Sequence, residues 1–467
     1  MAAADRAVNL CPGAVTNAHR LVSEDMGRNH AIVIGASVAG LTAAQALSSR
    51  FGKVTVLDRD TLPELAEPRR GVPQGQHPHV LLASGQAALT ELFPGIHDEL
   101  VAAGAVPFEP GRDLSFHRFG GIWPKVDTGL QMVSFSRPLL ETTLRNRVAA
   151  QSNVVIRDGV AIAGLTGSNS QGVTGVKLDD GETLAADLVV DATGRGSRSD
   201  RWLAGLDFPV PETVEVKIGV GYATSVYKRE PGFLPEGIGI FILPTPPVEK
   251  RVGLILPIEG DRWLVGFGGW HGDFPKTAAG IESFAKELPH PALSDMLASG
   301  ELISDFVFYG FPSSRRRYFE KLRQVPAGYV ATGDAVCSFN PIYGQGMTCA
   351  ALDALALGRM LDRHGTATSV MAKAFYREVS SIIATPWRFA VGGDFAFPET
   401  QGPKPAGIDL LNGYSRRVQL ASRVDPEVRR TFTAVQHLVM PPSALFKPAM
   451  VMRVLKGSRR ASQTTVA

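Results

Sequence analysis

The stretch HAIVIGASVAGLTAAQAL, His30 to Leu47, decides the fold. AIVIG is a short, apolar, β-branched run of the kind that forms a buried parallel strand. SVAGLTAAQALSSR follows with small and apolar residues at helical spacing, and KVTVLD reads as the next strand. A glycine-rich turn between strand and helix is the geometry that holds a dinucleotide pyrophosphate, and each glycine of G-x-G-x-x-G has a task there. Gly35 makes the turn and Gly40 lets helix and strand pack, but Ser37 stands at the middle post, where the phosphate comes close. Serine is small and its hydroxyl is able to donate to a phosphate oxygen. The orphan N–H groups and the positive helix end are present whatever side chain sits there. Asp58 ends the second strand where a carboxylate meets adenosine ribose hydroxyls. This β-α-β unit predicts a dinucleotide site without choosing between NAD and FAD.

The rest of the chain fits a soluble globular protein of more than one domain. It has 467 residues, 44% hydrophobic and 20% charged, with a net charge of +3 that gives no electrostatic footprint for nucleic acid. Cys11, Cys337 and Cys349 are scattered and show no C-x-x-C spacing, which argues for a reducing, cytoplasmic setting and against a metal site. No apolar run reaches the roughly 18 residues of a membrane span. The N-terminus lacks the apolar core of a secretory signal, and either Met1 or Met26 serves as the native start.

Residues 1–29 read as a flexible extension. Residues 30–80, 136–210 and 325–385 form a discontinuous α/β, Rossmann-like cofactor domain. Residues 81–135 and 211–324 form a substrate domain, in which alternating runs such as VEVKIGVGYATSVY, RVGLILPI and RWLVGFGG predict a mostly antiparallel sheet. Helices are expected around 84–103 and 136–150, the second started by Ser136 with Pro138 in its first turn. Residues 386–467 read as a C-terminal helical segment, whose apolar, basic end is expected to pack on the cofactor domain rather than touch a membrane.

A second motif chooses the cofactor. YVATGDAVCSFNPIYGQGM contains Gly333, Asp334 and Ala335, then Pro341, Gly344, Gln345, Gly346 and Met347, with a helix after it. Here the chain resembles the FAD-dependent monooxygenases of the aromatic-hydroxylase and squalene-epoxidase type, over about residues 30–385. The resemblance implies a p-hydroxybenzoate-hydroxylase-like fold and FAD as cofactor. It implies that Asp334 bonds the ribityl chain, that Pro341 and Gly344 lie beside the isoalloxazine, and that Arg137 approaches the phosphates. Arg59 and Arg69 complete the expected cofactor set. Thr193, in DLVVDATGRGSR, replaces the aspartate of the family's A-D-G segment. That departure leaves open whether electrons come from NAD(P)H directly or through a separate flavin reductase.

The loop RRGVPQGQHPHVLL is similar to the same stretch of bacterial polyether epoxidases, through Arg69, Gly71, Val72, Pro73, Gln74, His77, His79 and Leu81. The resemblance implies transfer of one atom of O2 from a flavin C4a-hydroperoxide to an apolar substrate, free or carrier-bound, such as an alkene of a polyketide or terpenoid. The alternatives are an aromatic hydroxylase, a flavoprotein reductase or dehydrogenase, and a non-catalytic flavin protein. No protein nucleophile or metal is required by such chemistry. The W-x-W-x-I-P segment of flavin-dependent halogenases is absent. Tyr222, Phe241, Trp263 and Phe267 are candidate substrate-pocket residues, and His77 and His79 read as packed loop residues rather than ligands.

Overall fold

A computed structural model describes residues 28–464. Met1, Met26 and Cys11 therefore lie outside the described residues. Arg28 and Asn29, placed in the extension from sequence, already belong to the fold: Arg28 donates to the carbonyls of Leu361 and Gly365, and Asn29 N donates to Asp187 at 2.8 Å.

The chain opens with β1 (His30–Ile34), α1 (Val38–Ser48) and β2 (Lys53–Leu57). A loop with one 3-10 turn at Pro73–Gln76 leads to α2 (Ala83–Leu92) and α3 (Ile96–Ala102), separated by Pro94 and a left-handed Gly95. β3 (Val106–Phe108), β4 (Leu114–His117), β5 (Met132–Ser134) and α4 (Arg137–Ala149) follow. Ser136 caps α4 by accepting from Leu139 N. Next come β6 (Val154–Arg157), β7 (Ile162–Ser168), β8 (Gly172–Leu178), β9 (Thr183–Ala185), β10 (Leu188–Asp191) and the short α5 (Ser199–Ala204). β11 (Thr213–Lys228), β12 (Gly239–Ile242), β13 (Arg251–Ile258) and β14 (Arg262–Gly269) precede α6 (Ile281–Lys286) and α7 (Ala292–Ser299). β15 (Val307–Arg317), β16 (Tyr329–Ala331), β17 (Cys337–Ser338) and α8 (Gly346–His364) return to the cofactor side. The chain closes on α9 (Ser369–Asp394), α10 (Ile408–Ala421), α11 (Pro426–Gln436) and α12 (Pro448–Thr464).

Two large sheets organise these elements. One is parallel, in the order β16-β10-β1-β2-β6, and nearly every residue of its inner strands is buried. That is why AIVI and LVV are continuous apolar runs. The other has seven strands in the order β17-β15-β11-β14-β13-β12-β4, antiparallel except for the β12–β4 pair. β17 follows the Gly333–Ala335 turn directly, so the second motif ties the edge of one sheet to the end of the other.

One expected boundary moves. The division at 385/386 falls inside α9, which continues through Pro386. Its buried face, Met371, Phe375, Tyr376, Val379 and Ile383, carries on to Ala390 and Val391, and that burial outweighs the hydrogen bond a proline removes.

Candidate functional site

The first turn satisfies its steric demands without a middle glycine. Gly35 has φ +106°, and a Cβ there would meet the Ala192 carbonyl oxygen at 2.6 Å. A Cβ at Gly40 would lie 1.7 Å from the Gly35 oxygen. Only glycine fits either post. Ser37 instead has φ −96° and ψ −173°, extended backbone that any residue adopts. It occupies the N-cap of α1 without a side-chain cap, which leaves the helix's first N–H groups to the cavity that Ser37, Val38 and Ala39 line.

The Ser37 hydroxyl is spoken for within the protein. It donates to Glu141 Oε1 at 2.5 Å and accepts from Arg137 Nη2 at 2.8 Å. Arg137 Nε also bonds Glu141 at 2.7 Å, and Arg69 reaches Glu141, Asp58 and Asp60 at 3.4, 3.3 and 2.9 Å. Burial pushes the Glu141 carboxyl up, but the two guanidiniums and the Ser37 hydroxyl prevail and hold it below its ordinary value. Asp58 Oδ2 accepts Ala36 N at 2.7 Å, so the same carboxylate braces the turn. The carboxylates of this network hold two guanidiniums, Arg137 and Arg69, beside an orphan helix N-terminus, where their remaining N–H donors and the helix N–H groups suit a pyrophosphate.

The second motif sits against the first. Gly333 has φ +58°, and a Cβ there would come within 2.9 Å of the Ala39 side chain. Asp353 Oδ2, on α8, accepts from Gly333 N and Thr332 Oγ1 at 3.2 and 3.3 Å and so holds the turn. A Cβ on Gly346 would stand 3.4 Å from the Asp334 carboxylate. Burial raises the Asp334 carboxyl, while Arg137, Arg195 and the Ser338 hydroxyl pull it back in part. Gly344, left-handed at φ +66°, lets the chain turn under the Val80 carbonyl, and Leu82 N donates to Thr348 Oγ1 at 3.1 Å. The buried Gln345 Oε1 has no partner among the described residues. The start of α8 thus offers N–H groups to an electron-rich ring edge. These residues fit FAD. All of the expected cofactor residues line one cavity of about 1280 Å³ except Gly40 and Gly333, which support its wall.

That cavity continues into an apolar chamber under the seven-stranded sheet. Alternate residues face it: Tyr222 and Thr224, Phe241 and Leu243, Val252, Leu254 and Leu256, and Tyr309 and Phe311. Tyr222 and Phe241 are therefore wall residues, and Phe241 stacks on Phe116 with centroids 5.2 Å apart. Trp263 does not line the cavity; Phe267 borders it, but its ring turns away. They share the opposite face of β14 with Val265, because residues two apart on a strand point the same way. Trp263 packs beside Phe233 and donates to the Ile238 carbonyl, and the Phe267 ring is fully buried near Phe284 and Phe306.

His77 and His79 are neutral packing groups. His77 Nδ1 lies 2.7 Å from Thr224 Oγ1, and burial lowers it to about 4. His79 Nδ1 lies 2.8 Å from the His77 carbonyl, and burial, helped by Arg137, lowers it to about 3. Thr193 bonds Asp191 through both its N–H and its hydroxyl.

Sequence reasoning missed Glu141, Asp353, Arg195 and the roof. Arg195 lines the cavity, bonds Ser313 Oγ at 2.7 Å and lies over Phe311. The roof comes from α9, α10 and α11, through residues such as Phe389, Asn412, Tyr414 and Phe432. Among the described residues, no cluster of His, Cys, Asp and Glu suits a metal, and no helix is long and apolar enough to cross a membrane.

No protein-family model matches the chain. It is 34% identical over 439 residues to Protein Rv3254 of Mycobacterium tuberculosis, covering 89% of this chain and 92% of that one. It is 27% identical over 371 residues to a putative 2-heptyl-3-hydroxy-4(1H)-quinolone synthase, AqdB1, of Rhodococcus erythropolis, covering 77% and 86%. Two solved structures share the fold. PqsL of Pseudomonas aeruginosa, a probable FAD-dependent monooxygenase, aligns with TM-score 0.58 at 18% identity, over 79% of this chain and 99% of its own. HpxO of Klebsiella pneumoniae, complexed with FAD and uric acid, aligns with TM-score 0.59 at 16% identity, over 92% and 98%. With both cofactor motifs in one cavity, the chain belongs to the family of Protein Rv3254 and has the fold of FAD-dependent monooxygenases.

Proposed function

We propose that this monooxygenase adds one oxygen atom to a carbon–carbon double bond of an elongated apolar molecule of polyketide or terpenoid type. One observation carries the reading: the cofactor cradle opens directly into a roofed chamber walled by aliphatic and aromatic side chains. Bound FAD supplies the redox chemistry that activates O2, which no side chain of the cavity offers.

The chain's own part is binding, orientation and exclusion of water. Arg69 and Arg137, oriented by Glu141, and the start of α1 would hold the diphosphate, and Asp334 would hold the sugar-like chain. The start of α8 favours negative charge on the reduced ring. Tyr222, Phe241, Leu254 and Tyr309 position the substrate by shape, and the roof helices keep water from the reacting atoms. Electrons arrive from NAD(P)H, directly or through a separate reductase; Thr193, bonded to Asp191, favours the second route.

Hydroxylation of an aromatic ring is the second reading, favoured by the similarity to the quinolone synthase-named relative and by the rings in the chamber wall. Incubating the reduced holoenzyme with alkene and arene panels under 18O2 separates the two. Label in an epoxide supports the first and label in a phenol the second. Reduced flavin consuming O2 with no labelled product from either panel overturns both.

A further inference from the structure

The far wall of the chamber holds buried donors that the protein does not satisfy. Residues Phe116 to Trp123 fold back as a tight hairpin at the end of β4, with Trp123 N donating to the Phe116 carbonyl at 2.8 Å. Arg429, on α11, lies across it, its guanidinium 4.3 Å from the Trp123 ring centre and 4.9 Å from that of Phe116. Arg429 is 3% exposed and Trp123 is 6% exposed, and both line the chamber. Arg429 Nε and Nη1, Trp123 Nε1 and Arg118 Nε have no acceptor among the described residues.

The one acid that acts on Arg429 is committed elsewhere. Glu109, fully buried, accepts from Thr128 N and Thr128 Oγ1 with one oxygen and from Arg112 N with the other. Burial lowers both Arg118 and Arg429 to about 10, which leaves them charged at neutral pH. The roof side of the chamber adds Arg388 and Arg416, against the single carboxylate of Asp409. An unpaired buried cation costs several kcal/mol, so a wall built this way is complete only when an anion meets it.

We propose that Arg429, Trp123 and Arg118 form a subsite for an anionic oxygen group on the substrate, so that the substrate is an apolar acid held by its acidic end. Phe116 lies on the last strand of the sheet and Tyr222 on the third, four strand spacings apart, or roughly 19 Å along the sheet. The acidic group therefore sits remote from the double bond that reacts, and it sets the register of the chain in the chamber. The inference rests on the chamber being the substrate site. A carboxylate and a phosphate monoester share the required chemistry, and the test distinguishes them.

Calorimetric titration of the holoenzyme with dodecanoate, dodecyl phosphate and dodecan-1-ol reads the subsite without any turnover. The expected result is that at least one anion binds about tenfold or more tighter than the alcohol, the worth of one charge-assisted bond. Which anion gains more names the group. Arg429→Met abolishes the preference, keeps the alcohol affinity and flavin content, and leaves Tm equal or higher because an unpaired buried charge is gone. Arg429→Lys keeps part of the preference. Equal binding of anions and alcohol, or a preference that survives Arg429→Met, overturns the subsite but leaves the chamber standing. Binding of none of the three probes overturns the chamber reading and the subsite with it.

Discussion

Gly333 stands against Ala39, although they belong to motifs at distant points of the chain: a Cβ on Gly333 would fall 2.9 Å from the Ala39 side chain. The contact sets the spacing between the turn offered to the pyrophosphate and the turn that carries Asp334. Gly333→Ala combines left-handed strain, about 1–2 kcal/mol, with a push on α1. The expected outcome is FAD binding weakened by about tenfold or more, as 1.4 kcal/mol requires. Titration of apoprotein with FAD measures it.

Ser37 gives a graded test. Ser37→Gly keeps the ordinary backbone and leaves Arg137 bonded to Glu141, so purified protein stays yellow. Ser37→Leu forces a branched side chain into the Glu141–Arg137 pair and yields colourless protein. Retention of flavin by Ser37→Leu would show that the pyrophosphate lies elsewhere.

Glu141 makes acid stability readable. Its folded pKa lies below the unfolded value, so its contribution is present above about pH 4.5 and is lost as pH falls through the folded value. Wild-type Tm should therefore drop more steeply on acidification than that of Glu141→Gln. At neutral pH the variant should lose about 3 kcal/mol, since a buried charge pair is broken from one side. Thermal melts across pH measure both effects.

Asp394 has the opposite sign. Burial raises its carboxyl to about 7, although Trp270 Nε1 and Asn340 Nδ2 donate to it at 2.9 and 2.8 Å. Between about pH 4 and 7 the unfolded chain has released this proton and the folded chain has not, so stability falls as pH rises through that window. Asp394→Asn keeps an acceptor oxygen and removes the slope. Its Tm advantage over wild type should grow from pH 5 to pH 8 and then stay constant.

The two phenylalanines once grouped together should separate. Phe267→Ala opens a hole in a filled core and costs about 3–5 kcal/mol. Phe241→Ala only widens the chamber, so Tm moves little while KM and product distribution change. Melting curves paired with product analysis check the contrast.

The cradle was legible because its demands are local. Gly35 and Gly40, Gly333 and Asp334, and Pro341 to Gly346 each sit within one turn, where backbone sign and Cβ volume dictate residue type. Glu141 and Asp353 were not legible, because a carboxylate on a helix reads alike whether solvent or a guanidinium awaits it. Strand alternation placed Trp263 with Phe267, but nothing in a strand says which face meets a cavity and which meets α6 and α7. Likewise the helical reading of residues 386–467 did not say what α10 and α11 would cover.

The roof sets an order on the making of the protein. Once His364, at the end of α8, has been added, both cofactor motifs have been synthesised, whereas the chamber waits for Ala384 to Phe446. Synthesis proceeds from the N-terminus. The residues of both cofactor motifs thus exist in the nascent chain before the helices that close the chamber have been made.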